Sequence, residues 1–347
     1  MDKTFKIYHR INSIAGIAIF AKNNWNSRAW LAYQVFNFII GIFCFIFTSM
    51  FVIVNSSDLI IFTQGACIWS TGVVMTISLG VCLNFRNRFR VFLTEMAFKD
   101  EMLEMPLIQF VLKVERGKKL LELKNMVLDS QEKLLKYLRL WTTGYIISVV
   151  ITTTMYLINT IYEMTTKGDS SLGLLAFDMW FPWSLEKMSV YVPSFIFNAY
   201  AGYLCCFAYP GLQMTIILLL CQVIRQLRIL TFIMTNLNDL AIDIVEDKQD
   251  MWQVYCTSIL AQCVDHYIKL KGFSNRLNVI CQPFYLTVIL ASIILVCMCS
   301  VQIAILDKLS PGTIKFYAHA LCFIIIVLMF SLLGERVDIE CGHLELA

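Results

Sequence analysis

Six apolar stretches run through this chain, at roughly 30–54, 59–83, 141–162, 191–222, 278–306 and 316–334, and none contains Asp, Glu, Lys or Arg. Crossing the ~30 Å hydrocarbon core of a bilayer takes about twenty helical residues at ~1.5 Å each, and all six stretches meet that length. The chain therefore reads as all-α, a polytopic membrane helix bundle of six spans in one transmembrane domain covering 1–347. Its 28 Lys and Arg residues divide unevenly about those spans. Twenty-four fall before the first span, in the 84–140 and 223–277 connections and in the C-terminal tail, against four in the remaining connections. The positive-inside rule then places the N-terminus and both long connections in the cytoplasm, and six spans return the C-terminus to the same side.

Composition agrees, since 58% hydrophobic and 15% charged residues lie well outside the soluble range. The net charge of +3 is small and spread over connections that also carry acids, so it reflects topology and not nucleic-acid binding. None of the 13 cysteines lies in a predicted outer loop, which leaves no outer-face disulfide. Cys297 and Cys299 sit two apart on a helix and point to different faces, which suits buried small hydrophobes better than metal chelation. The ten-residue apolar run Ile11–Phe20 follows Lys3, Lys6 and Arg10 in the manner of a signal peptide. Lys22 and two asparagines follow it in place of a cleavage site, so a short helix in the inner leaflet is the expectation. The sequon Asn55-Ser56-Ser57 lies in a loop too short for ready glycosylation.

The long connections carry helical periodicity. From Arg116 to Leu140, apolar residues recur at Leu120, Leu121, Val127, Leu134 and Leu138 between Lys, Glu, Gln and Asp. In 223–277 one stripe runs through Ile229, Phe232, Ile233, Leu237 and Leu240, and a second through Ile259, Val264, Tyr267 and Ile268, with an acidic break at 246–250. Extensions of the third, fourth and fifth spans into the cytoplasm follow, with apolar faces that no lipid covers, as an assembly domain would need. On the outer side, the 163–190 loop has a flexible Lys167–Ser171 tip and then Phe177-Asp178-Met179-Trp180-Phe181-Pro182-Trp183. Trp180, Phe181 and Trp183 are either interfacial anchors or a lid over a pocket, and Pro182 and Pro193 stiffen the approach to the fourth span.

The chemistry that is missing narrows the function. Spans without ionised residues argue against proton-coupled transport, voltage sensing and pumping. His9, His266 and His343 are scattered through cytoplasmic segments, His319 stands alone in the sixth span, and no metal-ligand spacing, P-loop or hydrolase motif occurs. No enzyme activity and no cofactor are expected. What the spans do offer is aromatic and Met side chains with sparse hydrogen-bonding groups in their outer halves, which is the character of a small-molecule site. These are Phe62, Gln64 and Trp69 on the second span, Met155, Tyr156 and Asn159 on the third, and Phe316, Tyr317 and His319 on the sixth. The fourth span adds Tyr191, Phe195, Phe197, Asn198 and Tyr200. Packed or lipid-facing aromatics would show the same pattern.

On these residues the chain resembles the insect odorant receptor family. Met179-Trp180-Phe181-Pro182 is similar to the family's aromatic-proline segment before the fourth helix, and Leu260–Ile268, with Cys263 and His266, to its Cys-x-x-His region. Phe330-Ser331-Leu332-Leu333-Gly334-Glu335 resembles the Gly-Glu ending of its sixth helix. The resemblance implies a multi-pass plasma-membrane protein of olfactory neuron dendrites. It also implies a subunit of a nonselective cation channel assembled with the odorant receptor co-receptor and gated by a small volatile odorant bound in the outer half of the bundle. The family's plan has seven helices, and Val337–Ala347 holds no apolar span. The pore-lining helix is therefore expected to be missing through a truncated gene model, a splice form or a pseudogene, and pore residues are not assigned. A gustatory receptor of the same superfamily is the near alternative. A G-protein-coupled receptor would need the opposite orientation and an outer disulfide, and a small-solute transporter would need paired repeats or broken helices.

Overall fold

The computed structural model describes residues 3–21, 26–167, 174–245, 251–306 and 311–347; tip residues 168–171 and the acidic run 246–250 lie outside the described residues. The described chain is all-helical: α1 (Lys3–Ile14), α2 (Arg28–Val54), α3 (Leu59–Asn84), α4 (Arg86–Leu93), α5 (Pro106–Lys113) and α6 (Lys118–Lys167), then α7 (Met188–Thr235), α8 (Leu237–Val245), α9 (Trp252–Ile305) and α10 (Pro311–Leu346). The helices α2, α3, α6, α7, α9 and α10 are each long and apolar enough to cross a membrane. Two compact units share them. The first comprises Met1–Arg86, Trp141–Met214 and Gln282–Met329; the second comprises Asn87–Leu140, Thr215–Cys281 and Phe330–Ala347.

In the first unit, local chemistry sets the helix ends. The Ser27 hydroxyl accepts the Trp30 N–H at 3.3 Å, and the Asp58 carboxylate accepts those of Ile60 and Ile61 at 2.9 and 3.1 Å, so free amides at the starts of α2 and α3 find partners. Asn55 closes α2 by donating its side-chain amide to the Phe51 carbonyl at 2.8 Å. Along the spans, Ser70, Ser78 and Ser292 donate to the carbonyl four residues back, which hides their hydroxyls from hydrocarbon. Phe36, Ile39, Phe43 and Ile46 on α2 stay exposed, an apolar face that suits lipid.

The N-terminal segment corrects the sequence reading. The apolar run Ile11–Phe20 is not a helix in a leaflet: α1 ends at Ile14, and Ala15–Phe20 are buried in the protein, none more than 1% exposed among Ala15, Ile17, Ala18, Ile19 and Phe20. Gly16 makes the reversal with φ +83°, a conformation that glycine adopts freely. A Cβ there would lie 2.9 Å from the Gln34 Cα, so α2 approaches too closely for any larger residue. Thr142 on α6 donates to the Tyr8 hydroxyl at 2.9 Å and fixes α1 within the unit.

The second unit is a smaller helical body with its own apolar core, including Leu107, Ile108, Val111, Leu123 and Val127. Side chains distant in sequence cap its helices. The Gln262 carbonyl accepts the Leu107 N–H at 2.9 Å, and the Asp243 carboxylate accepts the Lys119 N–H at 2.7 Å. Periodicity predicts an unbroken stripe from Ile229 to Leu240, but the helix breaks at Asn236, whose amide donates to the Phe232 carbonyl at 2.9 Å and ends α7. Conversely, α10 continues through Gly334-Glu335 to Leu346. Within this unit Asp100 accepts from Arg225 Nη2 and Gln226 Nε2, and Gln226 Oε1 lies 3.2 Å from His266 Nε2. All four side chains are buried.

Candidate functional site

The first unit contains a cavity of about 50 Å³. Its walls are Ile68, Thr71, Gly72 and Met75 of α3, and Val149, Thr152, Thr153 and Tyr156 of α6. Ala201, Gly202, Cys205, Cys206 and Tyr209 of α7 and His319 and Cys322 of α10 complete them, with Cys44 of α2 and Phe177 and Met179 of the segment before α7. The helices bring small or apolar groups to this space. Hydroxyls that reach it are mostly occupied elsewhere: Thr152 donates to the Ser148 carbonyl at 2.9 Å, and Thr153 accepts from Cys206 Sγ at 2.9 Å.

One polar pair stands out against these walls. Tyr156 Oη and His319 Nδ1 are 3.1 Å apart, both residues are buried, and their rings meet edge to face at 5.8 Å. Three further groups hold the tyrosine ring. Phe177 stacks on it at 5.7 Å, Phe316 meets it edge-on at 6.3 Å, and the Lys315 ammonium sits 4.9 Å over it, a geometry that attracts a cation to the ring face. Asp178, next to Phe177, accepts from Gln64 Nε2 at 3.4 Å. Burial raises the Asp178 carboxyl to about 6, against the opposing pull of Lys315 and the Gln64 hydrogen bond. These walls offer apolar contact and a single hydrogen-bonding pair. Among the described residues no three His, Cys, Asp or Glu side chains are grouped to bind a metal.

Of the side chains that the sequence singles out, Tyr156 and His319 line the cavity, and Phe316 packs behind Tyr156. The others lie elsewhere. Trp69 donates its indole N–H to Ser49 Oγ at 2.9 Å, Asn159 donates to Glu163 at 2.9 Å, and Tyr200 donates to Asn37 Oδ1 at 2.7 Å. Phe195 packs on Tyr191 at 5.9 Å, Phe62 and Met155 are half-buried off the lining, and Tyr317 is exposed. Trp180, Phe181 and Trp183 are not among the lining residues either. The Trp180 N–H bonds the Phe47 carbonyl at 3.0 Å, and Phe181 and Trp183 join Phe47 in an aromatic cluster, 4.9 and 6.0 Å away. From that loop the structure brings Phe177 and Met179 to the cavity instead. Sequence reasoning also passes over Gly72, Ala201 and Gly202, small residues inside apolar spans that were the available signal.

A wider groove of about 660 Å³ in the second unit is lined by Lys133, Arg225, Arg228 and Arg336 among others. Three of those cations already face carboxylates: Lys133 with Asp129, Arg225 with Asp100 and Arg228 with Glu340. It offers little uncompensated charge for a ligand.

Six membrane-length helices, five of which line a mostly apolar cavity with one polar pair, define a multi-pass membrane protein. The 7tm Odorant receptor family model matches residues 112–347, and the chain belongs to that family. Its fold is that of the insect olfactory receptor OR5 from Machilis hrabei. The structure of that receptor in complex with eugenol superposes with a TM-score of 0.75 at 13% identity, over 99% of this chain and 83% of that one. A second structure of the same receptor gives 0.69 at 11% identity, with the same coverage. By sequence, no curated protein matches the chain.

Proposed function

We propose that this chain is an odorant receptor subunit that takes a small, volatile, mostly apolar ligand into the cavity bounded by α3, α6, α7 and α10. Together with the odorant receptor co-receptor it gates a nonselective cation channel in the plasma membrane of olfactory neuron dendrites, with its N-terminus in the cytoplasm. The observation that carries this reading is the Tyr156–His319 pair, 3.1 Å apart in otherwise apolar walls. Sites for small molecules are mostly apolar with a few placed polar groups, and this one has that form. The receptor of the same fold from Machilis hrabei holds eugenol, which supports a small organic ligand here. At about 50 Å³ the cavity is smaller than the roughly 150 Å³ that accommodates benzene, so binding has to displace a wall.

The test is co-expression with the co-receptor and measurement of currents evoked by a panel of volatiles. Tyr156→Ala and His319→Ala should change the ranking of agonists, whereas Trp183→Ala, in the aromatic cluster off the cavity, should not. Equal insensitivity at both cavity positions would show that the ligand binds elsewhere. Orientation has its own check, because a tag before Lys3 should be inaccessible to an external reagent in intact cells, and surface labelling there would remove this reading.

A further inference from the structure

We infer that the Phe177 ring is a built-in occupant of the ligand's aromatic subsite, so that a ligand binds by replacing it on Tyr156 and the cavity selects compact, flat, single-ring molecules. The inference rests on the cavity being the ligand site. It adds the residue that sets the size and class of ligand.

Three contacts isolate that one ring as the movable wall. First, the backbone of Phe177 is fixed: Asn198 Oδ1 accepts its N–H at 3.0 Å and Asn198 Nδ2 donates to its carbonyl at 2.7 Å. Asn198 is wholly buried on α7, so both halves of its amide are spent on this one residue of the connecting segment. Motion is left to the side-chain torsions. Second, Gly202, one turn further along α7, receives the ring. A Cβ on Gly202 would lie 2.1 Å from Phe177 Cε2 and 2.5 Å from Cζ, so the ring rests on bare backbone, in a slot that no other residue leaves open. Third, the ring stacks on Tyr156, with centroids 5.7 Å and planes 29° apart.

Gly202 and Tyr156 therefore both border the space of one aromatic ring, and a phenylalanine from the same chain fills it. With the ring in place, the remaining space holds no benzene-sized guest. With the ring rotated out, one planar ring fits in its stead, and its polar substituent is offered to Tyr156 and His319. A fused two-ring molecule exceeds the slot unless the Phe177 side chain is removed altogether.

The test uses the full chain in detergent micelles, with phenol, 4-propylphenol and 2-naphthol as probes, and reads binding as protection against thermal unfolding. Wild type should be protected by the two single-ring probes and not by 2-naphthol. F177A should bind phenol at least tenfold more tightly and admit 2-naphthol, and F177L, which keeps bulk in the slot, should fall between. G202A should lose phenol, because its methyl group and the displaced ring compete for the same space. F177A/G202A should recover single-ring binding, and recovery of a thermal transition in that double variant supports the slot equally where G202A alone does not fold. If Y156A loses phenol while F177A and G202A keep the wild-type affinity and size limit, the slot is refuted and the cavity stands. If no variant and no wild-type sample binds any probe, the cavity reading and this inference both fall.

Discussion

Asp100→Asn removes one buried charge from the second unit and leaves almost everything else in place. Asp100 adopts φ +54°, a left-handed conformation that Asn shares with Asp among non-glycine residues, so the substitution does not disturb the backbone. Its side chain is 7% exposed and that of its partner Arg225 is 2% exposed. Removing one member of such a pair leaves an uncompensated buried charge, which typically costs about 3–5 kcal/mol. The Asn carbonyl keeps one hydrogen bond worth about 1 kcal/mol, so the expected loss is roughly 3 kcal/mol. Asp100→Ala should lose roughly 1 kcal/mol more, since Ala tolerates the left-handed backbone less well. Arg225→Met leaves the carboxylate unpaired instead, and the double variant should be better by about 2 kcal/mol than the two single losses added, since neither charge then remains. Denaturation by SDS in mixed micelles measures each stability, and amide exchange across residues 87–140 should locate the loss in the second unit. The exposed pair Lys133–Asp129 supplies the contrast, and Lys133→Ala should be silent. A loss below about 1 kcal/mol for Asp100→Asn, or strict additivity in the double variant, would refute the reasoning.

Gly16→Ala should destabilise the first unit by about 2 kcal/mol or more, because left-handed strain of about 1–2 kcal/mol adds to a backbone contact with Gln34; a smaller change than 1 kcal/mol in the same titration removes the argument. Asp178 gives a pH signature. With its folded pKa raised to about 6 from 3.8, its contribution to stability is fully present below pH 3.8 and lost as pH rises through 6. Relative to Asp178→Asn, wild type should therefore lose up to about 3 kcal/mol between pH 4 and pH 7, and a flat difference across that window contradicts the raised value. Tyr156→Phe should keep the stacking but strand His319 Nδ1, costing about 1–2 kcal/mol and weakening hydroxyl-bearing ligands more than hydrocarbons; parallel shifts for both ligand types would place the polar contact elsewhere.

What the sequence discloses follows from how many residues must agree to produce a signal. The six spans are legible because some twenty consecutive residues share one property, and helix starts such as those at Ser27 and Asp58 follow from a single side chain acting within three residues. Ile11–Phe20 was not legible in this way. A ten-residue, mostly apolar run satisfies a leaflet and a protein core equally, and only Gly16, which permits the turn and the approach of α2, separates the two. The α7–α8 break at Asn236 is hidden for a similar reason, since the apolar stripe passes through it and the determinant is one amide bonding the Phe232 carbonyl.

The candidate site is legible in kind and not in place. Aromatic side chains serve interfaces, packing clusters and pockets alike, which is why Trp69, Tyr200 and Trp183 share the pattern of Tyr156 yet spend their polar atoms on Ser49, Asn37 and Ser194. A cavity arises where side chains are absent, so its position depends on Gly72, Ala201 and Gly202, residues that contribute by what they lack. Asn198 supplies the more useful rule. An amide deep in an apolar helix is costly unless both its halves are satisfied, and the helix's own backbone groups are already paired. Its partner here is the backbone of Phe177, outside regular structure, and the demand that buries Asn198 is the same one that fixes a connecting segment against the cavity.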